Sequence, residues 1–474
     1  MKTDKIYLFL LIAVFSIQAI SCNRMLDIAP ENKLTREKFW QKKEDAVSAI
    51  IGTYSTLRSN QEAFLYWGEV RGELLNSIPG KGAGTDKESI DVFLIQPSNV
   101  MNKYTNFYKV INQANLVIKN IPGIVAKDPS FSTENANQIM GEAYFLRAFT
   151  YFWLARTFKE VPLILEPSES DGQNYNVIKS PFEVIMTQVL ADIKLAENSL
   201  PVAYDSDVQT KGRATRYAAY AFEADVDLWL GKNQEAIAAC DMVINSKQFA
   251  LLTPTNLGNL FTPGNTGESI WELQYNNSLN QTHSLYTWFN NKPYFSGNPV
   301  FSLFDDPVDA RIVTSITPGG SVQKYNISTN DAHWIFYRYA DVILMKAEAL
   351  AHLVPDNVAN LSLTVKEINK IRSRAGIALI PVISNTQQAD EFLLDERGRE
   401  LCFEGKRWFD LVRFASRNNF AGKDMLISRI VSAVNGVDQL VIRTRVDNPE
   451  SWYLPLHVDA LSSNSLLVQN PYYQ

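Results

Sequence analysis

Two stretches of the chain combine aromatic side chains with charged and amide groups, the residue types that hold a ligand by stacking and hydrogen bonding. The first contains Trp67, followed by Arg71 and Glu73, and the second contains Trp288 and Tyr294 among several asparagines. A sugar ring has an apolar face of C–H groups that an aromatic ring can cover, and an edge of hydroxyls that polar groups can bond. A peptide backbone uses the same polar partners, so the pattern leaves saccharide and peptide ligands open.

Both stretches lie in long segments with little helical periodicity, at about 60–98 and 251–334. Loops displayed on a rigid scaffold are where binding residues concentrate. The competing interpretation for any one aromatic ring is that it pins its loop to the core, because Trp and Phe are usually buried. The predicted ligand contacts are Trp67, Arg71, Glu73, Trp288 and Tyr294.

Signatures of catalysis are missing from the sequence. It has no Gly-x-Ser-x-Gly elbow, no His-Glu-x-x-His motif and no Walker box. The glycine-rich run at 80–85 lacks the Gly-Lys-Thr ending of a phosphate loop, which favours a simple turn. A hydrolase that uses two converging carboxylates stays open, because any two Asp or Glu residues could meet in the fold. The sequence favours a binding protein over an enzyme.

Metal, cofactor and nucleic-acid sites have little support. The four histidines show no paired spacing. Asp305, Asp306 and Asp309 could offer oxygen ligands to calcium, but the regular spacing and the glycine of a calcium loop are missing. A net charge of −6 gives no reason to expect nucleic acid as a partner. We predict no metal and no cofactor.

The N-terminus is typical of an exported lipoprotein. Lys2 and Lys5 precede an apolar run at 6–20, which is short for a membrane span and right for a signal peptide. The run ends just before Cys22, so we expect cleavage after residue 21 and acylation of this cysteine. The remaining cysteines, Cys240 and Cys402, lie in apolar helical patterns and are expected to be buried thiols.

Helical periodicity fills most of the remaining chain. Several neighbouring segments read as helix, short break, helix, with alanines where two helices must approach closely. This pattern is similar to tetratricopeptide hairpins, although generic antiparallel helices would produce it too. The predicted helices span 45–58, 99–121, 133–158, 180–200, 213–230, 233–245, 338–353, 361–375 and 390–415.

The segment LLDERGRELCFEGKRWFDLVR at 393–413 is rich in oppositely charged residues. Three acid–base pairs stand three positions apart, the spacing of ion pairs on a helix face. They are Glu396 with Arg399, Glu404 with Arg407, and Asp410 with Arg413. Apolar residues, Trp408 among them, recur at helical spacing. We therefore predict a packed, charge-laced helix with a structural role, and place the ligand site elsewhere.

This segment resembles the signature of the SusD/RagB family, surface lipoproteins that capture nutrients for a TonB-dependent outer-membrane transporter. Further blocks carry the same resemblance, and an Asp-x-Arg element at 309–311 resembles a structural element of the family. These blocks are MLDIAP at 25–30, GEAYFLRAF at 141–149, RYADVILMKAEA at 338–349, INKIRSRAG at 368–376, and the tail from WYLP at 452–455 to NPY at 470–472. The resemblance implies a mainly α-helical SusD-like scaffold of tetratricopeptide-type helix pairs with long irregular loops.

The resemblance also implies a function and a partner. A lipid-anchored protein on the outside of the outer membrane would bind an oligo- or polysaccharide and pass it to a SusC-type transporter, which it would cap as a lid. In this family, ligand contacts come from the region after the first helix and from a mid-chain loop. A peptide-binding lid of the RagB type is the nearest alternative, followed by a surface hydrolase and by an adaptor without a ligand of its own.

The predicted organisation is a signal peptide at 1–21 followed by one SusD-like domain at 22–474. The parts of that domain are a tether at 22–35, a helical scaffold to about 250, a loop-rich ligand region at 251–334 and a C-terminal helical part at 335–474.

Overall fold

The computed structural model describes residues 39–78, 85–170, 172–433 and 439–474. The predicted signal peptide, the acylation site at Cys22 and the tether lie outside these residues. Within the described ranges, none of the helices is both long enough and apolar enough to cross a membrane.

The described chain is mainly α-helical. Several helices begin behind polar caps, such as Ser132 and Thr215, whose hydroxyl oxygens accept backbone N–H groups of the first turn. The helices are α1 Lys43–Arg58, α2 Gln61–Leu65, α3 Thr85–Asp91, α4 Thr105–Val125, α5 Thr133–Phe158, α6 Phe182–Ser199, α7 Asp207–Gly212, α8 Arg216–Trp229, α9 Asn233–Ile244, α10 Ile312–Ser315, α11 Tyr339–Leu353, α12 Val358–Ala375, α13 Thr386–Leu401, α14 Arg407–Phe420, α15 Lys423–Ser432, α16 Gln439–Val446 and α17 Val458–Ser463.

Short strands form two small antiparallel sheets in the described chain. They are β1 Asn76–Ser77, β2 Ser269–Leu273, β3 Phe295–Ser296 and β4 Trp334–Arg338. β1 pairs with β3, and β2 pairs with β4 so that Ser269 lies opposite Arg338 and Leu273 opposite Trp334. Every residue of β2 and β4 is buried, so this sheet forms part of the core.

Neighbouring helices pack in pairs along the scaffold. α5 packs against α4 and α6, α9 against α8 and α11, and α12 against α11. Alanines such as Ala218 and Ala221 on α8 and Ala347 and Ala351 on α11 are fully buried, which lets the helix backbones approach closely. The predicted mainly α-helical scaffold of stacked helix pairs is confirmed.

The main hydrophobic core draws on residues from Ala46 to Leu456. Cys240 and Cys402 are buried free thiols, as predicted, and burial raises the pKa of both. The division of the domain into parts stays a prediction. Among the described residues, the core extends across the proposed boundaries near 250 and 334.

The prediction of one continuous helix over 390–415 is wrong. α13 ends at Leu401 and α14 starts at Arg407, with a sharp turn between them. In this turn Phe403 and Gly405 have φ of 69° and 73°, in the left-handed region that a helix of L-residues cannot contain. Other predicted helices lie within a few residues of the observed bounds, except that α4 begins at Thr105 and not at 99.

The turn between α13 and α14 touches the π-helical turn Tyr66–Val70 at a contact between two backbones. A Cβ atom on Gly68 would overlap the carbonyl group of Gly405. A Cβ on Gly405 would lie 3.0 Å from the carbonyl oxygen of Phe64 and 2.8 Å from the indole of Trp334. Glycine is therefore required on both sides of this crossing.

Carboxylates at every fourth position, Glu396, Glu400 and Glu404, form the centre of a buried charge network. The guanidinium of Arg338 donates to Glu400 at 2.6 Å, to Glu404 at 2.9 Å and to Glu268 on a neighbouring segment at 2.7 Å. Burial alone would lower the pKa of Arg338, but these carboxylates outweigh it and raise the pKa. Other cations that pair with these three glutamates are Arg311, Lys324, Arg372 and Arg374.

Two of the three predicted ion pairs in the signature segment are confirmed. Glu396 and Arg399 approach to 3.2 Å, and Asp410 and Arg413 to 2.8 Å. The predicted pairing of Glu404 with Arg407 is wrong, because the turn separates the two residues. The carboxylate of Glu404 instead forms ion pairs with the ammonium group of Lys324, at 2.7 Å, and with the guanidinium of Arg338.

Replacing Gly68 with alanine tests the crossing of the two backbones. The added methyl group must displace the Gly405 carbonyl, so we expect the free energy of unfolding to fall by about 1–3 kcal/mol or more. Gly52→Ala in α1 is the matched control, because its Cβ meets no atom within 4 Å. That variant should gain about 0.5–1 kcal/mol from helix propensity. Equal urea unfolding midpoints for the two variants would contradict the close approach.

Replacing Arg338 with methionine tests the charge network. Three buried carboxylates would then lose a partner, and breaking a buried pair typically costs about 3–5 kcal/mol of unfolding free energy. Lys119→Met, which removes a surface pair with Glu169, is the control and should cost less than about 1 kcal/mol. Chemical denaturation of both variants measures the difference, and a loss below about 1 kcal/mol for Arg338→Met would show that the network is not needed for stability.

Candidate functional site

A cavity of about 1120 Å³ lies where the segment after the π-helical turn meets the mid-chain loop. This volume is slightly above the range of about 300–1,000 Å³ that is typical for small-molecule sites. The wall carries hydroxyl, amide and carboxylate groups beside apolar patches. The lining residues are Val70, Arg71, Gly72, Glu73, Asn76, Ser77, Ile78, Asp86, Glu88, Ser89, Asp91, Val92, Phe93, Leu94, Gln96, Ser98, Asn99, Ser296, Asn298, Pro299, Ser302, Ile430, Ser432 and Ala433.

The sheet of β1 and β3 joins the two stretches that the sequence singled out. Asn76 lies opposite Ser296, and Ser77 lies opposite Phe295. The pairing extends to a hydrogen bond of 2.7 Å, in which the backbone N–H of Ile78 donates to the carbonyl oxygen of Tyr294. The predicted long loops are thus not wholly irregular, since the first contains α2 and α3 and the second contains β2 and β3.

Two glutamates attach the first wall of the cavity to the signature segment. The carboxylate of Glu69 accepts the backbone N–H groups of Phe403 at 2.6 Å, Gly405 at 3.0 Å and Lys406 at 3.2 Å. Glu73, one turn further on, accepts the guanidinium of Arg407 at 3.0 Å. Glu69 therefore accepts backbone N–H groups of the turn that precedes α14. Glu73 holds the side chain of Arg407, which is the first residue of α14.

The pKa values of the two glutamates are shifted in opposite directions. Burial raises the pKa of Glu69 to about 7, although the N–H groups that it accepts pull the other way. Burial would also raise the pKa of Glu73, but the adjacent Arg407 outweighs it and the pKa is lowered. The ion pair of Glu73 with Arg407 and the backbone hydrogen bonds of Glu69 thus support the cavity wall from behind.

Of the predicted contacts, Arg71 and Glu73 line the cavity. Arg71 is only 1% exposed, with its guanidinium 4.1 Å from the ring centre of Trp408 and one N–H donated to the carbonyl oxygen of Ser451 at 3.2 Å. Burial lowers its pKa to about 10. Both side chains are held mainly by the protein, and their ligand role stays a prediction.

The three predicted aromatic contacts do not line the cavity. Trp67 is fully buried, stacks on Phe107 at 4.5 Å and donates its indole N–H to the carbonyl oxygen of Met101 at 2.8 Å. Trp288 is 7% exposed and lies beneath Lys87, whose ammonium is 5.1 Å from the ring. Tyr294 is half-buried beside β3. In this arrangement these rings support the walls, and direct stacking on a ligand stays a prediction.

Sequence reasoning missed most of the polar wall. Gln96 and Asn298 are exposed and line the cavity from opposite loops, and Glu88 and Asp91 project from α3. The signal for Glu88, Asp91 and Gln96 was the run of polar residues that follows the first aromatic cluster, whereas Asn298 follows the second cluster. Without knowledge of the β1–β3 pairing, this run looks like an ordinary solvated loop.

Asp91 is held in an unusual state for a wall residue. One carboxylate oxygen, Oδ2, accepts the backbone N–H of Ser77, while the other, Oδ1, is shielded and has no hydrogen-bond partner in the protein. Burial, with a smaller contribution from the negative charge of Glu88, raises its pKa to about 7. The carboxyl of Asp91 can therefore take up a proton close to neutral pH.

The acidic cluster at 305–309 is not a metal centre in this structure. Asp309 is buried and bonded to Arg311 at 2.9 Å, whereas Asp305 lies at the surface near Arg399. The Asp-x-Arg element is thus structural. Among the described residues, no group of three or more His, Cys, Asp or Glu side chains could hold a metal ion.

Comparisons with known families agree with this architecture. The model of the SusD family matches residues 310–473, and a model described as starch-binding and associating with the outer membrane matches residues 26–228. Both models describe SusD-like proteins, and the description of the second defines a class of starch-binding proteins that associate with the outer membrane. Within this class, the chain belongs to the SusD/RagB family.

Individual relatives span nearly the whole chain. A SusD-like protein of Formosa agariphila is 28% identical over 91% of this chain and 94% of its own length. A SusD superfamily protein of Bacteroides thetaiotaomicron has a solved structure with a TM-score of 0.75 at 21% identity, covering 92% of this chain and 99% of that one. A solved laminarin-binding SusD-like protein has a TM-score of 0.73 at 21% identity, covering 91% and 99%. The solved structures show the shared fold.

The raised pKa of Asp91 predicts a pH-dependent difference between the protein and its Asp91→Asn variant. The folded pKa of about 7 lies above the ordinary value of 3.8, so the contribution of Asp91 to stability is fully present below about pH 3.8 and is lost as the pH rises through 7. The asparagine keeps the bond to Ser77 without this loss. We therefore expect the melting temperature of Asp91→Asn, measured relative to that of the parent protein, to be higher at pH 8 than at pH 5. A constant difference across this range would contradict the shifted pKa.

Proposed function

We propose that the protein captures a glycan in the loop-walled cavity and delivers it to a SusC-type TonB-dependent transporter. The acylated Cys22 would hold it on the outer face of the outer membrane. Binding, and not catalysis, is its proposed task. The observation that carries the proposal is the cavity itself, which offers many hydroxyl, amide and carboxylate groups on a wall that also contains apolar patches.

The polar groups of the wall match the hydroxyl edge of a sugar. Gln96 and Asn298 supply amide groups from the two loops, and Ser98, Ser296 and Ser302 supply hydroxyls. Each of these groups can both donate and accept a hydrogen bond, as sugar hydroxyls do. Such reciprocal partners suit a polyol better than a purely apolar ligand.

The apolar part of the wall matches the C–H face of a sugar ring. Val92, Phe93 and Leu94 follow one another at the end of α3, and Leu94 is 47% exposed. Phe93 is the aromatic ring in the lining, although its 6% exposure limits it to an edge contact as placed here. Hydrogen bonding therefore has a larger part in the proposed binding than ring stacking.

The laminarin-binding SusD-like protein supports the choice of a glycan as ligand, because its chain shares this fold along 99% of its length. The starch-binding family model supports the same choice. The hand-off to a transporter and the lid-like closure rest on membership of the family.

A complex isolated from membranes with an antibody against this protein would contain the transporter if the proposal is correct.

Calorimetric titration is the direct test. Protein lacking residues 1–22 would be titrated with starch, laminarin, other polysaccharides and mixed peptides. Saturable heat with a glycan supports capture. Heat with peptides alone would favour a peptide-binding lid, release of new reducing ends would favour a hydrolase, and absence of any heat would favour an adaptor.

A double variant, Gln96→Ala with Asn298→Ala, should weaken binding of the captured glycan by about tenfold. Each lost hydrogen bond costs about 0.5–1.5 kcal/mol, and tenfold corresponds to about 1.4 kcal/mol. Asn256→Ala is the matched control, because this exposed asparagine is not part of the lining and should leave the Kd unchanged. Equal affinities in all three proteins would move the ligand site away from this cavity.

A further inference from the structure

The charges of the cavity wall are unbalanced, and this imbalance bears on which glycans the cavity can take. Of the described lining residues, four are carboxylic acids and one is a base. The acids are Glu73, Asp86, Glu88 and Asp91, and the base is Arg71. Arg407 neutralises the charge of Glu73, and Asp91 keeps part of its charge near neutral pH. Together with Asp86 and Glu88, Asp91 therefore makes the described part of the wall negative.

Cationic side chains around the cavity already have partners. Arg429 lies 2.7 Å from Asp395 and 3.9 Å from Glu73. Lys87 is paired with Glu62. Arg445, behind α3, donates to the carbonyl oxygen of Val92 at 2.8 Å. An anionic ligand would have to displace one of these contacts to gain a counter-charge.

Arg71 is the one lining base among the described residues, and its geometry does not suit an anion. Its guanidinium lies over the ring of Trp408, and one N–H is engaged by Ser451. The remaining nitrogens, Nε and Nη1, have no hydrogen-bond partner but are shielded from the cavity by the protein around them. The cation–π contact compensates part of the burial of this charge without presenting it to a ligand.

Hydrogen-bond donors of the wall are also partly used. The amide of Asn76 donates to the carbonyl oxygen of Ala433 at 2.7 Å, and the amide of Asn99 donates to the carbonyl oxygen of Asp86 at 2.7 Å. On the acceptor side, Asp91 Oδ1 has no donor from the protein, but it is shielded in the same way as the two unpaired nitrogens of Arg71. The wall therefore presents neutral donors, the exposed amides of Gln96 and Asn298, together with the half-buried carboxylate of Glu88, and no exposed cation among its described residues.

We infer that the cavity is selective for uncharged glycans and discriminates against chains that carry carboxylate or sulfate groups, with Glu88 and Asp91 as the determinants. A sugar hydroxyl can donate to the half-buried carboxylate of Glu88. The carboxylate of a uronate or a sulfate group can only accept, and it brings a like charge close to Glu88 and Asp91. This inference rests on the proposed function, because it names the ligand class of the same cavity.

The experiment compares glycans that differ only in charge. Laminarin and sulfated laminarin form one pair, and starch and carboxymethyl starch form another. Calorimetric Kd values would be measured for the protein lacking residues 1–22, for Glu88→Gln, for Glu88→Gln with Asp91→Asn, and for Glu134→Gln. The last variant removes one exposed carboxylate outside the lining and controls for net charge.

The inference expects any uncharged glycan that binds to do so at least tenfold more tightly than its charged derivative. Glu88→Gln should narrow this ratio and the double variant should narrow it further, while Glu134→Gln should leave it unchanged. Raising the salt concentration should also narrow the ratio, because counter-ions screen partly exposed charges.

Three results would overturn the inference. If a charged derivative binds as tightly as its parent, the cavity does not discriminate, although glycan capture still stands. A ratio that Glu88→Gln and the double variant leave unchanged would show that other residues discriminate. If no glycan of either kind binds, the proposed function fails and the inference fails with it.

Discussion

The pairing of buried carboxylates on one short segment is the constraint on which much of the structure depends. An unpaired buried carboxylate is costly, so Glu396, Glu400 and Glu404 must each find a cation inside the protein. The cations that they find come from distant parts of the chain, including Arg311 and Arg338. The network therefore fixes the relative positions of the mid-chain loop, β4 and α13 in one step.

The same segment also determines where the cavity is. The turn after α13 exposes backbone N–H groups, and Glu69 satisfies three of them. Arg407, at the start of α14, holds Glu73 on the cavity wall. Because the close contact of Gly68 with Gly405 fixes the distance between the two segments, the first wall cannot move far without breaking several buried interactions. The wall of the candidate site is therefore an extension of the structural core.

Sequence reasoning succeeded where the physical signal is local. Helical periodicity and the alanine pattern predicted α5 and α8 closely, since the repeat of apolar side chains is visible within each helix. It failed at the turn of residues 402–406, because the left-handed residue Phe403 is stabilised by contacts with a segment more than 300 positions away. The apolar and charged spacing on both sides of the turn looks continuous, and the local sign of a break was Gly405, since glycine often follows the end of a helix.

The candidate site was predicted in outline but not in detail. Chemistry pointed to the two stretches that form it, and to Arg71 and Glu73 among its residues. Chemistry did not reveal that the ring of Trp67 lies among Phe107 and Phe158, because composition does not show which face of a loop meets the core. The polar residues of α3 became visible as a wall only after β1 and β3 were seen to pair.

Since most of these wall residues take no part in the charge network, they can be exchanged without leaving a buried charge unpaired. Gene copies that share this scaffold can therefore acquire new ligands through a few substitutions on the wall, and the same positions are where a library for altered ligand preference would be built.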